Sequence, residues 1–306
     1  MASFITFDKI AKKVNNKNLL ANLSFGAQKN EILFILGKTG SGRSTLFKIL
    51  MGIISKDKGK IFIDGMDYDK RKDEICEFIA YLPQENIFDK HLNIFQNLCF
   101  YAELKGMELR LAKKELIHWA NIFGFSKYLY MQPNQIPFEY LRIISIARCL
   151  LTNPKILLLD NPTLGMNFID KELFWKVINE SKNDKTILCI SQDFEEIESY
   201  GDRILILNNG SIDINSSVLN IKNVINPTYR YQFVFKKIVP NIFLKSVKAN
   251  FGAKDIISRG RHFEFSVKNK AIFFKIFQAA LDYDLVDLKF DSSQINELFL
   301  KVTNDE

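Results

Sequence analysis

The sequence predicts an α/β fold followed by a smaller α+β unit, and three observations predict it. Apolar, strand-like runs alternate with helix-periodic segments through most of residues 1–225. A glycine-rich stretch, GKTGSGRST at 37–45, joins one such strand to one such helix. At 306 residues the chain is long for a single core, so two domains are expected, 1–225 and 226–306.

The elements follow in order. Phe4–Ile10 and Leu19–Phe25 are short strands rich in aromatic and aliphatic residues. Ile32–Leu36 is a continuous apolar run, as a strand covered on both faces requires. The glycine-rich loop comes next, and Thr45–Leu50 opens a helix. Lys60–Ile63 reads as a strand closed by the Asp64-Gly65 turn, and Glu77–Leu82 as a strand ending at Pro83. From about 91 to 151 the period becomes helical, giving a helical insert of Leu92–Leu104, Leu109–Phe123 and Leu141–Leu151, with Pro133 and Pro137 breaking the chain before the last. Alternation then resumes with strand Lys155–Leu159, helix Ile169–Ile178, strand Thr186–Ser191, helix Phe194–Ser199 and strand Arg203–Leu207. The C-terminal unit reads as strand Tyr231–Phe235, helix Val239–Val247, strand His262–Val267, helix Ala271–Leu281, strand Leu285–Phe290 and helix Ile295–Val302.

Composition excludes several classes. Apolar (47%) and charged (25%) fractions are those of an ordinary soluble domain. The net charge of +7 is spread along the chain, whereas a nucleic-acid surface needs a clustered patch, so no nucleic acid is expected. Cys76, Cys99, Cys149 and Cys189 lack metal-ligand spacing and sit in apolar contexts, so they read as reduced core thiols of a reducing compartment. The start MASFITFDKI has no signal pattern, and no run approaches the ~18–20 apolar residues that span a bilayer. Any membrane part is therefore expected from another chain.

The chemistry centres on the loop. The phosphate-binding pattern G-x-x-x-x-G-K-[ST] fits at Gly37, Gly42 and Ser44, but its lysine slot holds Arg43. The backbone amides of Lys38, Thr39, Gly40, Ser41, Gly42, Arg43, Ser44 and Thr45 would face phosphate oxygens at a helix N-terminus. Ser44 would offer its hydroxyl to Mg²⁺. A glycine-rich turn with no ligand is the bland alternative, and nine residues in register weigh against it. Arg43 is longer and planar, unlike a compact ammonium. It either grips β- and γ-phosphates bidentately or swings out of the loop, and both readings stay open. Downstream, NPKILLLDNPT (153–163) ends an apolar strand in Asp160, which can hold Mg²⁺ through water.

Taken together, LGKTGSGRST (36–45), YLPQ (81–84), ARCLL (147–151), NPKILLLDNPT and DRILILNNGSI (202–212) resemble the ATP-binding subunits of ABC transporters, in that family's order and spacing. HLNIFQNLCFYAELKG (91–106) looks like the helical region after the family's glutamine loop, and SQINELFLKVT (293–303) like the closing helix of subunits serving type-2 ABC exporters. The resemblance implies the ABC cassette of P-loop NTPases: a mixed sheet core, an antiparallel β subdomain and a helical insert, here with the small C-terminal α+β domain. It implies ATP and Mg²⁺ as cofactors, Gln84 and Asp160 beside the loop, and Ser44, Gln84 and Asp160 around the metal. It also implies two partners: a separate membrane-spanning permease subunit, and a second ATP-binding subunit in a homo- or heterodimer. The location would be cytoplasmic, peripheral on the inner face of the cell membrane. The surface around Gln84 and residues 85–104 would dock on the permease, unless its apolar residues are simply core of the insert.

Every catalytic position departs from the family pattern. Asn161 stands where relatives have the Glu that polarises water. Gln192 takes the place of the switch histidine, and Ile136-Pro137-Phe138-Glu139-Tyr140 that of the LSGGQ signature. In relatives the signature amides clamp the γ-phosphate from the opposite subunit; Pro137 has no N–H and Glu139 is negative. Asn167 replaces an acidic residue, and Val14 the aromatic that stacks on adenine. A positioned general base is worth ~10²–10⁴ in rate. The expected function is therefore Mg·ATP binding in an exporter, with slow or absent hydrolysis. The alternative is an inactive pseudo-ATPase scaffold or regulatory partner in a membrane complex.

Overall fold

The computed structural model describes residues 3–15, 17–224, 229–239, 241–250, 253–267 and 270–291. The chain forms two compact units, 1–217 and 218–305.

In the first unit, strands β1 (Ile5–Val14) and β2 (Lys17–Ala27) form a hairpin, followed by β3 (Ile32–Gly37) and helix α1 (Arg43–Leu50). Strands β4 (Lys58–Ile63) and β5 (Met66–Asp67), helix α2 (Lys72–Glu77) and strand β6 (Ile79–Leu82) come next. The insert contains α3 (Ile94–Leu104), α4 (Leu109–Ile122) and α5 (Phe138–Leu151). Then follow β7 (Ile156–Asp160), α6 (Phe168–Ser181), β8 (Thr186–Ile190), α7 (Phe194–Tyr200), β9 (Arg203–Asn208) and β10 (Ser211–Ser217).

Two sheets result. One is antiparallel, in the order β2-β1-β4-β5. The other, in the order β10-β9-β3-β8-β7-β6, is parallel except for the antiparallel edge strand β10. Strands β3, β7 and β8 are buried along their whole length, which is why their sequences are unbroken apolar runs. A single core joins residues of both sheets around Leu46, Phe47, Ile49 and Leu50 of α1. Fully burying each of these side chains contributes about 1.5–3 kcal/mol before entropy.

The second unit runs α8 (Val218–Val224), β11 (Tyr229–Phe235), α9 (Asn241–Asn250), β12 (Lys254–Arg259), β13 (His262–Val267), α10 (Lys270–Leu281) and β14 (Leu285–Asp291). Its antiparallel sheet, in the order β12-β13-β11-β14, completes a split βαββαβ pattern. Alternation puts Tyr231, Phe233 and Phe235 on the same side as Phe263 and Phe265, in one aromatic core with Phe243 of α9 and Ile276 of α10.

The α/β reading holds, with local corrections. Glu77, expected to start a strand, closes α2, and the strand starts at Ile79. Asp73 and Glu74 favour the helix by lying in its positive first turn, while Ile75 buries its apolar contact. Strands β5, β10 and β12 and helices α2 and α8 are not among the expected elements; for β10 and β12 the reason is that SIDINSS and KDIISR are polar edge strands with weak alternation. The expected helix Ile295–Val302 lies outside the described residues.

Candidate functional site

A cavity of about 360 Å³ opens where the parallel strands β3, β6, β7 and β8 end at their C-terminal edge. This is where open α/β sheets bind ligands. Thr39, Gly40, Ser41, Gly42, Arg43, Ser44 and Thr45 line it from the loop. Gln84 enters after β6, Asp160 and Asn161 at the end of β7, and Gln192 after β8. Leu19, Leu164 and Ile190 complete the wall. Gly37 and Lys38 are not part of it: Gly37 is the buried last residue of β3 and Lys38 is exposed.

Glycine is required at two loop positions. Gly42 caps α1 with φ +94°, and a Cβ there would meet Leu20 Cδ2 at 2.5 Å and the Leu19 carbonyl at 2.8 Å. At Gly37 a Cβ would meet Ser41 Oγ at 2.4 Å and the Leu207 carbonyl at 2.5 Å. The loop can therefore fold tightly against β2 and β9.

Arg43 does not swing out. It is 8% exposed, and Nη1 is buried with no hydrogen-bond partner among the described residues. Burial pushes its pKa down, and the charge of Asp160 opposes that shift. Ser41 Oγ is likewise buried without a partner. A buried donor left unpaired costs roughly 1–3 kcal/mol, more when charged, so an anion in the cavity would relieve both groups. A phosphate fits this demand. Ser44, Gln84 and Asp160 present hydroxyl, amide and carboxylate oxygens, the hard donor set that Mg²⁺ prefers.

The far wall is organised around Asp160, which is 2% exposed. Asn161 Nδ2 donates to Asp160 Oδ1 at 3.1 Å, and Asn161 N donates to the Ile190 carbonyl at 2.8 Å. Asn161 has φ +47°, a left-handed conformation that Asn tolerates better than most residues. Its side chain thus serves the neighbouring carboxylate; a carboxylate at 161 could make no such donation. Gln192 is exposed at the cavity rim. The next residue, Asp193, caps α7 by accepting from the amides of Glu195 and Glu196, and its carboxylate takes Lys171 Nζ at 2.8 Å.

Sequence reasoning missed Arg142. It is fully buried in α5 and donates only to backbone carbonyls, those of Pro83, Gln84, Asp160, Asn161 and Pro162. Burial lowers its pKa to about 10, which leaves it charged at neutral pH. A signal was present: Arg142, Ile146 and Cys149 fall at i, i+4 and i+7 on the buried stripe of α5.

The remaining departures lie off the cavity wall. Pro137 caps α5, with Phe138 and Glu139 exposed in its first turn, where Glu139 meets the helix dipole. Asn167 Oδ1 caps α6 by accepting from the Asp170 amide at 3.0 Å. Val14, at the end of β1, is 44% exposed and does not line the cavity; Leu19 does.

Comparison with known proteins bears on the family and the fold. The family model for ABC transporters matches residues 20–164. The zinc import ATP-binding protein ZnuC of Buchnera aphidicola subsp. Baizongia pistaciae is 30% identical over 216 residues, covering 68% of this chain and 82% of that one. ABC transporter A family member 8 of Dictyostelium discoideum is 27% identical over 321 residues, 98% of this chain and 37% of the relative, so the chain spans little more than a third of that protein. A dimeric ATP-binding cassette solved in a post-hydrolysis state with ADP and Pi superposes with a TM-score of 0.64 at 21% identity, over 70% of this chain and 98% of that one. The fold is thus that of the ABC ATPase cassette. The chain belongs to the ABC transporter family, among its ATP-binding domains.

Proposed function

We propose that the cavity binds Mg·ATP and hydrolyses it slowly or not at all. One observation carries this reading: the cavity keeps a buried arginine, Arg43, whose Nη1 has no hydrogen-bond partner, while the residue after Asp160 is an amide already donating to that carboxylate. Loop amides, Arg43 and Ser41 would hold the phosphates. Ser44, Gln84 and Asp160 would hold Mg²⁺, which neutralises charge on the β- and γ-phosphate oxygens. Asn161 cannot take a proton from water, and Gln192 can hydrogen-bond a phosphate but brings no positive charge. Losing the base alone removes ~10²–10⁴ of rate.

The chain then works as an ATP-binding part of a transporter, with a membrane-spanning partner and a second ATP-binding domain. No described helix is long and apolar enough to cross a membrane. Export is the direction favoured by the likeness of residues 226–306 to the C-terminal domain of type-2 exporter subunits. Such a chain sits peripherally on the cytoplasmic face. Equilibrium binding of ATP with Mg²⁺, beside a steady-state ATPase assay with Asp160→Ala as blank, tests the reading. Saturable micromolar binding with turnover indistinguishable from the blank is the expected result. Vigorous turnover that Asp160→Ala abolishes refutes slow hydrolysis, and absence of binding establishes the alternative, a scaffold that uses no nucleotide.

A further inference from the structure

Segment 83–88, between β6 and α3, lies along one face of α5. Three α5 residues at i, i+3 and i+6 hold it. Arg142 Nη1 donates to the carbonyls of Pro83 at 2.6 Å and Gln84 at 3.3 Å. Ser145 Oγ donates to Asn86 Oδ1 at 3.2 Å. Arg148 Nη1 donates to the Ile87 carbonyl, and its guanidinium lies 5.4 Å from the Phe88 ring centroid. Arg142 alone among them also reaches the other loop: Nη2 donates to the carbonyls of Asp160 and Asn161 at 2.8 Å each, and Nε to that of Pro162 at 2.9 Å.

One planar group therefore clamps two loops that are far apart in sequence. No carboxylate lies within ion-pair distance of it among the described residues, so its hydrogen bonds all go to carbonyl oxygens, while the Asp160 charge supports it from farther off. Such a buried cation is costly to install, and apolar packing of the same volume is often at least as stabilising. Stability is a weak reason for it; fixed geometry is a better one. The fork matters here, because an ammonium is a point charge that cannot hold five acceptors on two sides.

We infer that Arg142 is the positioning residue for Mg²⁺ in this cavity: it holds Gln84 and Asp160, candidate metal ligands on separate loops, at the spacing the ion needs. The inference rests on reading the cavity as a Mg·ATP site. Outer-shell partners of this kind typically contribute 10–100-fold, roughly, to metal affinity. A merely structural arginine would weaken folding, or weaken nucleotide binding equally with and without the ion.

The test is calorimetric titration of the full chain with ATP, in Mg²⁺ and in EDTA, for wild type, Arg142→Gln and Arg142→Lys. The expected result is a Mg²⁺-dependent gain in wild type that falls by roughly 10–100-fold in Arg142→Gln, with affinity in EDTA unchanged and little rescue by Arg142→Lys. A variant that keeps the gain, or loses affinity equally in both buffers, overturns this inference and leaves the nucleotide site standing. A wild type that binds ATP without any gain from Mg²⁺ overturns the role of Arg142 and the metal assignment, and one that does not bind overturns the site itself. Hydrogen exchange on wild type decides the matter if the variants do not fold. Peptides covering 83–88 and 160–164 should gain protection together with Mg·ATP but not with ATP in EDTA, and protection confined to one of them overturns the link.

Discussion

At Arg43 the proposed phosphate site turns on a single side chain. It is buried at the cavity, short of one hydrogen bond, and close enough to Asp160 for that carboxylate to oppose the lowering of its pKa. Arg43→Ala should weaken ATP by ~10-fold or more, the worth of a hydrogen bond to a charged group. Arg43→Lys should recover most of the loss, since the compact ammonium suits a tight loop. Titration of both variants against wild type checks this, and equal affinity in Arg43→Ala would show that the guanidinium does not touch phosphate. The residue scale is also where sequence was most and least informative. GKTGSGRST announced the loop, yet whether Arg43 points in or out depends on packing around α1. Arg142 passed unnoticed because its partners are carbonyls, which carry no side-chain signature.

At the scale of the elements, one ion pair ties two neighbouring parallel strands at their starts, the edge of the sheet opposite the cavity. Arg203, opening β9, donates through Nη1 to Glu31 Oε1 at 2.8 Å and Oε2 at 3.2 Å, just before β3. Burial raises the Glu31 pKa, against the lowering effects of the Gln28 amide and of Arg203. A carboxylate whose folded pKa is raised stabilises most at low pH, and that contribution disappears as pH climbs through the folded value. Arg203→Met removes a lowering influence and pushes the value further up. The variant should therefore lose up to about 3 kcal/mol at pH 8, where Glu31 would be buried and charged with the Gln28 amide but no cation beside it, and less at pH 5. Urea melts at the two pH values measure this, and a cost independent of pH would mean that Glu31 does not carry it. The apolar strands at this scale were legible because burial on both faces demands unbroken hydrophobic runs. The edge strands β10 and β12 were not, because one open side lets polar residues dilute the pattern.

At the scale of the whole molecule, the proposed reading bears on assembly. In the family resemblance each nucleotide meets the partner's signature, so a second copy of this chain would bring Pro137 and Glu139 toward phosphate. Pro137 offers no N–H and Glu139 is exposed at the helix start. The purified chain should therefore stay monomeric with Mg·ATP in light scattering, while Pro137→Ser with Glu139→Gly should shift toward a dimer. A nucleotide-dependent dimer of the wild type would overturn this and favour a working homodimer.

Local sequence determined the loop, the buried parallel strands, the helical insert and the amide at 161. Each of these depends on residue type and short-range periodicity, which the chain carries in itself. The tertiary structure decided what periodicity cannot express: that Arg43 turns inward, that the amide of Asn161 is spent on Asp160, and that one arginine from α5 joins loops distant along the chain. Those facts arise from which backbone carbonyls and carboxylates the fold brings together, and no spacing within the sequence encodes that meeting.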